Sequence, residues 1–219
     1  MDARSIGNRD GRRSFVTRCL ILPGLHDSGP DHWQTRWLSA RDDCERVELG
    51  RWSQPSRSLW MSRLDRAIAR ASAPVVLVAH SLACHAVVWW AADASLARRE
   101  KVRGALLVAP PDVDRVDALD ELRPFAPTPL GRLPFRSILA ASRDDSYADY
   151  ARLRWMAEQW GSELADCGRQ GHLNAESRLG DWIEGQHLLR CLLHRQPFAD
   201  AVPPVRRGDR AEPHDRPPH

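Results

Sequence analysis

Three polar residues carry the chemistry that is legible in this chain: Ser81, an aspartate at 144 or 145, and His172. A serine hydroxyl is a poor nucleophile at neutral pH. It becomes effective when a histidine accepts its proton and a carboxylate orients that histidine. Ser81 lies in Val75-Val-Leu-Val-Ala-His-Ser-Leu-Ala-Cys84, an apolar strand-like run that breaks into a helical one. The Gly-x-Ser-x-Gly elbow presents its serine at such a turn. Here Ala79 and Ala83 hold the two glycine positions. Alanine is the smallest step up from glycine, so the turn tolerates it. Taken alone, a serine at this position also reads as an ordinary helix N-cap. The order Ser, Asp, His, with each residue just past an apolar run, favours the nucleophile.

Acyl transfer also needs donors for a developing oxyanion. The N–H of Leu82, at the start of the helix, is one. The loop Pro23-Gly-Leu-His-Asp-Ser-Gly-Pro30 is expected to supply the second, with Leu25 preferred and His26 next. His26, Trp52 and His80 are candidates for the substrate pocket, although His80 reads more simply as packing beside the elbow. Cys84 falls within the helix and reads as a buried thiol rather than a nucleophile. His26, Asp27, Asp31 and His32 read as loop hydrogen bonding and capping, so no metal site is expected. Glu176 is either a partner of the histidine loop or a solvated carboxylate.

These residues need a frame to bring them together. Apolar β-type runs occur at Val16–Leu22, Arg46–Leu49, Pro74–Ala79, Gly104–Ala109, Ser137–Ala141 and Glu163–Cys167. Near-continuous apolar runs suit parallel strands covered on both faces. Helical spacing marks Asp31–Leu38, Ser56–Ala71, Ala148–Trp160 and Leu179–His194, with Gly161 as a C-cap signal. The alternation predicts an α/β fold: a doubly wound, mostly parallel six-stranded sheet, without a large cap domain. Ligands of such sheets sit beyond the C-terminal strand ends. Leu122, Phe125, Leu130 and Leu133, between the fourth and fifth strands, are expected to wall an apolar pocket there.

Composition bounds the rest. The chain has 219 residues, 42% hydrophobic and 28% charged, with a net charge of +3. That fits one globular domain and argues against nucleic-acid binding. No apolar run reaches the ~20 residues of a membrane span, so no membrane partner is expected. Five scattered cysteines without a Cys-x-x-Cys read as reduced thiols of a cytoplasmic protein. Residues 1–14 carry no secretory signal and are expected to be disordered, as is the Pro/Arg-rich tail 198–219. The folded domain is expected over 15–197. Phosphate-cradling glycine motifs are absent from the sequence, which argues against a nucleotide-binding domain.

The motifs resemble those of the retinoblastoma-binding-protein-nine or YdeN-like family of small serine hydrolases. They are Pro23-Gly-Leu-His-Asp-Ser-Gly-Pro-Asp-His-Trp-Gln-Thr-Arg-Trp37, Trp52-x-x-Pro55, Ala79-His-Ser-Leu-Ala-Cys84, Ser142-Arg-Asp-Asp-Ser-Tyr147, and Gly171-His-Leu-Asn-Ala-Glu-Ser177 with Trp182-Ile-Glu-Gly185. The resemblance spans roughly residues 17 to 193. It implies an α/β-hydrolase fold, with strand order 2-1-3-4-5-6, and a triad of Ser81, Asp145 and His172; the acyl-transfer chemistry of those residues points to a small-molecule acyl substrate and calls for no cofactor. Ser146 and Ile183 stand where the family pattern usually has proline. The expected activity is hydrolysis of an ester, thioester or amide through an acyl-enzyme on Ser81, carboxylesterase-like or another acyl hydrolase. The competing expectation is a catalytically weak hydrolase-fold protein that acts as an interaction module.

Overall fold

The strands alternate their apolar side chains between two cores. The computed structural model describes residues 17–194. The expected disordered segments 1–14 and 198–219 lie outside them. The elements run β1 (Arg18–Leu22), α1 (Trp33–Ala40), β2 (Cys44–Arg46), α2 (Arg57–Arg70), β3 (Val75–His80), α3 (Leu82–Asp93), α4 (Leu96–Arg99), β4 (Val102–Val108), β5 (Arg136–Ala141), α5 (Tyr150–Trp160), β6 (Glu163–Asp166) and α6 (Ile183–His194). Six strands form one sheet in the order β2-β1-β3-β4-β5-β6, and every pairing is parallel.

Successive strand residues face opposite ways. Leu20, Leu22, Val75, Leu77, Ala79 and Leu107 therefore pack with Trp60 and Leu64 of α2, Val87 of α3 and Met156 of α5. Ile21, Val76, Val78, Leu106 and Ile138 pack with Trp33 and Trp37 of α1 and Leu188, Leu189 and Leu192 of α6. The sheet is thus covered on both faces, as a parallel sheet must be. α3 follows the central strand β3 and is buried nearly all round, which explains its run Leu-Ala-Cys-His-Ala-Val-Val-Trp-Trp.

Two elements differ from the sequence expectation. β2 is Cys44–Arg46, not Arg46–Leu49. It is the sheet edge and is only half-buried, so it carries no apolar signature. Val47 and Leu49, which supplied that signature, lie past it and drop into the core. α6 begins at Ile183, not Leu179. Arg178, Gly180 and Trp182 all have positive φ, and that backbone cannot continue a helix. The remaining boundaries of the expected elements move by no more than two residues. No helix among the described residues is long and apolar enough to cross a membrane.

Candidate active site

The chain reverses abruptly between β3 and α3, and Ser81 is the residue at the reversal. Its backbone is at φ 54°, ψ −128°. A residue with a Cβ adopts that conformation only when its surroundings impose it. Ser81 N–H donates to the Val108 carbonyl at 2.8 Å, and Cys84 N–H donates back to the Ser81 carbonyl at 3.0 Å. Ala79 and Ala83 are fully buried where the elbow packs against its neighbours. Larger side chains have no room there.

His172 comes from the loop after β6, and Asp145 from the loop after β5. His172 Nε2 lies 2.9 Å from Ser81 Oγ. Its Nδ1 lies 2.9 Å from both carboxylate oxygens of Asp145. An ionised carboxylate only accepts, so Nδ1 carries the proton and Nε2 is left to accept from the serine hydroxyl. The Asp145 side chain is wholly shielded from solvent and that of His172 is 9% exposed. Asp145 Oδ1 also accepts the Tyr147 N–H at 2.9 Å, which fixes the carboxylate in the loop. The Tyr147 ring packs 4.3 Å from the His172 ring, centroid to centroid.

Asp144 points elsewhere. Its Oδ1 accepts the Ser142 hydroxyl at 2.8 Å and the Gly171 N–H at 2.9 Å. Those two donors hold its carboxyl below the ordinary carboxylate range. Asp144 thus ties the loop after β5 to the residue before His172. Spacing alone left both aspartates open and the family resemblance put the triad carboxylate at Asp145; side-chain direction separates the two, with Asp145 on His172 and Asp144 on Ser142 and Gly171.

The loop after β1 presses against the elbow. An ideal Cβ at Gly24 would lie 2.8 Å from Ser81 Cβ and 2.9 Å from the His80 carbonyl oxygen. Only glycine allows this approach, and it brings the neighbouring Leu25 N–H beside Ser81. Among the described residues the Leu25 and Leu82 N–H groups have no hydrogen-bond acceptor. The His26 N–H does, donating to the Trp52 carbonyl at 2.9 Å. Of the two loop candidates for the second donor, Leu25 is therefore the one left available.

The three candidate pocket residues part company. His26 is exposed, with φ 62°. Trp52 is half-buried, its ring edge-on to Trp60 at 5.7 Å. His80 is only 5% exposed and lies beneath the site, not in its wall. Its Nε2 is 3.0 Å from the His172 carbonyl oxygen, and its ring packs against His32 at 4.7 Å. Burial, reinforced by the neighbouring histidines, holds it neutral well below the usual histidine range. The proton on Nε2 is then donated to that carbonyl, which props the His172 loop.

Other expected features sort themselves the same way. Cys84 is fully buried, and burial pushes its thiol far up, so it offers no thiolate. Asp27 pairs with Arg46 at 2.8 Å, and His32 caps α1 by accepting the Gln34 N–H at 3.1 Å. Glu176 is exposed. Leu122 and Phe125 belong to the core and Leu130 is 66% exposed, so these residues do not wall a pocket together. The cavity on that segment, about 580 Å³, is bordered instead by Val113, Val116, Arg115, Arg123 and Pro127.

Two tryptophans of the core carry a second task. Trp33 Nε1–H donates to the Leu173 carbonyl and Trp37 Nε1–H to the Asp181 carbonyl, each at 2.8 Å. Both acceptors lie in the chain that follows His172. A buried indole N–H needs an acceptor, and that requirement was the available signal.

An all-parallel sheet in this order, with a strained serine on the turn after its central strand, defines an α/β-hydrolase. A family model described as serine hydrolase matches residues 19–191. The chain belongs to that family, the retinoblastoma-binding-protein-nine and YdeN family. A YdeN-like hydrolase from Pectobacterium atrosepticum superposes with a TM-score of 0.69 at 28% identity, covering 81% of this chain and 89% of that one. The ydeN gene product from B. subtilis superposes with a TM-score of 0.65 at 20% identity, covering 82% and 100%. Est1E from Butyrivibrio proteoclasticus, solved with ferulic acid, shares the fold with a TM-score of 0.61 at 10% identity, covering 84% and 91%. Among curated proteins none matches.

Proposed function

We propose that this hydrolase cleaves an ester, thioester or amide of a small-molecule acyl substrate through an acyl-enzyme on Ser81. His172 Nε2 takes the Ser81 proton as Oγ attacks the carbonyl carbon, and Asp145 stabilises the imidazolium. The carbonyl oxygen becomes an oxyanion between the N–H groups of Leu82 and Leu25. Collapse of the tetrahedral intermediate breaks the bond to the leaving group, which receives the proton from His172. Water, activated by the same histidine, then releases the acid and restores Ser81. His26 and Trp52, joined through their backbones beside the Leu25 loop, border the acyl group. The sequence of steps calls for no cofactor.

The observation that carries this reading is the continuous contact Ser81–His172–Asp145 at 2.9 Å per step. The strained backbone of Ser81 supports it further. An ordinary helix cap or a pure interaction module has no use for strain at that residue. The test is a fluorophosphonate probe applied to the folded protein and to Ser81→Ala. The parent protein should label at one site, mapped to Ser81, and the variant should not. A folded parent that fails to label would remove the acyl-enzyme; equal labelling of Ser81→Ala would move the nucleophile elsewhere.

A further inference from the structure

Cys19 and Cys44 are 25 residues apart in sequence and direct register partners in the β1–β2 ladder. Such neighbours stand ~4.8 Å apart with side chains on the same face of the sheet. That lies inside the ~4.4–6.8 Å Cα separation a disulfide requires. The two sulfurs and the Asp43 carboxylate gather within 4.8 Å of one another. Cys19 Sγ is 3.7 Å from Asp43 Oδ2, and Cys44 Sγ is 3.9 Å from Asp43 Oδ1. Cys19 is fully buried, whereas Cys44 is half-exposed on the edge strand.

Two thiols and a carboxylate could also hold a thiophilic metal, but Arg41 stands in the way. Its guanidinium donates to both Asp43 oxygens, at 3.1 and 2.8 Å, and reaches to 3.9 Å from Cys19 Sγ. A divalent ion would have to share its carboxylate with a fixed positive charge. The same charge suits a thiolate. The hydrogen bond from Cys19, with Arg41 behind it, holds the Cys44 thiol below its ordinary range, while the Cys44 contact and burial push Cys19 up.

We propose that Cys19 and Cys44 form a redox-active dithiol that closes to a disulfide in the presence of a small-molecule disulfide such as oxidised glutathione. The Cys44 thiolate attacks one glutathione sulfur, the glutathione S–S bond breaks, and one glutathione thiolate leaves. Cys19, now free of the neighbouring negative charge, loses its proton and attacks the Cys44 sulfur, expelling the second glutathione. Two protein thiols are oxidised and one small disulfide is reduced to two thiols. The new bond encloses residues 19–44, the segment that holds the Leu25 loop and α1, and it is independent of what Ser81 does.

The full-length protein should be equilibrated in glutathione buffers of graded potential, alkylated and mapped without reduction. The expected result is loss of two hydrogens from the intact mass, protection of two of the five thiols, and one linked peptide joining Cys19 to Cys44. Cys44→Ser should remain unoxidised, and Cys19→Ser should stop at a single glutathionyl group on Cys44. The linked peptide of the parent protein decides the matter even if Cys19→Ser does not fold. Persistent glutathionylation of the parent, a disulfide elsewhere, or no oxidation would overturn the proposal. So would a zinc titration that finds one tightly bound ion per chain, lost in both variants.

Discussion

Gly24 lies against Ser81 so closely that a methyl group at residue 24 would meet Ser81 Cβ at 2.8 Å and the His80 carbonyl oxygen at 2.9 Å. Neither atom is the free end of a flexible side chain, so neither can turn aside. Gly24→Ala should push the Leu25 N–H away from the elbow. Losing one oxyanion donor costs roughly 10²–10³ in kcat, and the overpacking should cost about 1–3 kcal/mol of stability. Turnover of an activated ester, with circular dichroism to confirm folding, checks this. Unimpaired turnover in the folded variant would separate the Leu25 loop from catalysis.

The two adjacent aspartates should behave very differently. Asp145→Asn keeps the shape but offers an N–H where His172 Nδ1 needs an acceptor, favouring the wrong tautomer; kcat should fall about 10⁴-fold. Asp144→Asn weakens the contacts to Ser142 and Gly171 that hold the loop, at a cost of roughly one hydrogen bond, or about tenfold. Parallel kinetics of the pair would settle the division. A larger loss in Asp144→Asn would reverse the assignment.

Acid should destabilise the fold well before most carboxylates titrate. His32, His80 and His85 are buried, and burial holds His32 and His85 neutral down to about 4 and His80 well below 6.5. Between those values and 6.5 the unfolded chain binds protons that the folded one refuses. The contribution of these histidines is therefore complete above about pH 6.5 and lost as the pH falls toward 4. The slope approaches roughly 1.4 kcal/mol per pH unit for each histidine. Asp144 and Asp166, whose carboxyls are held low by their partners, act with the same sign further down the scale. Calorimetry from about pH 7.5 to about pH 4.5 should show a steadily falling midpoint; a flat one would mean the three histidines take up protons in the fold as readily as in the unfolded chain.

The convergence of Ser81, Asp145 and His172 was legible in sequence because each lies in the loop that directly follows a strand with a local apolar run: β3, β5 and β6 in turn. A parallel sheet gathers such positions without further instruction. The parallel sheet followed from the same alternation, and its strand order from the family resemblance. Where the pattern misled, non-local packing was the reason. The polar strand Cys44–Arg46 gains its place from pairing with β1, which residue type does not announce. His80 could have faced substrate or protein; its direction is set by a carbonyl 92 residues later in the chain. The pairing of Cys19 with Cys44 depends on strand register, which spacing along the chain cannot reveal.

The indole bonds from Trp33 and Trp37 make α1 a mechanical bracket. The same stretch of chain that begins as the Leu25 loop ends as the clamp on the residues after His172. The groups that would bind the oxyanion and shuttle the proton are thus mounted on one rigid part. A disturbance of α1 far from Ser81, such as loss of the Trp37 indole N–H, would misalign both together, so damage to this helix should read out as a catalytic defect before it reads out as unfolding.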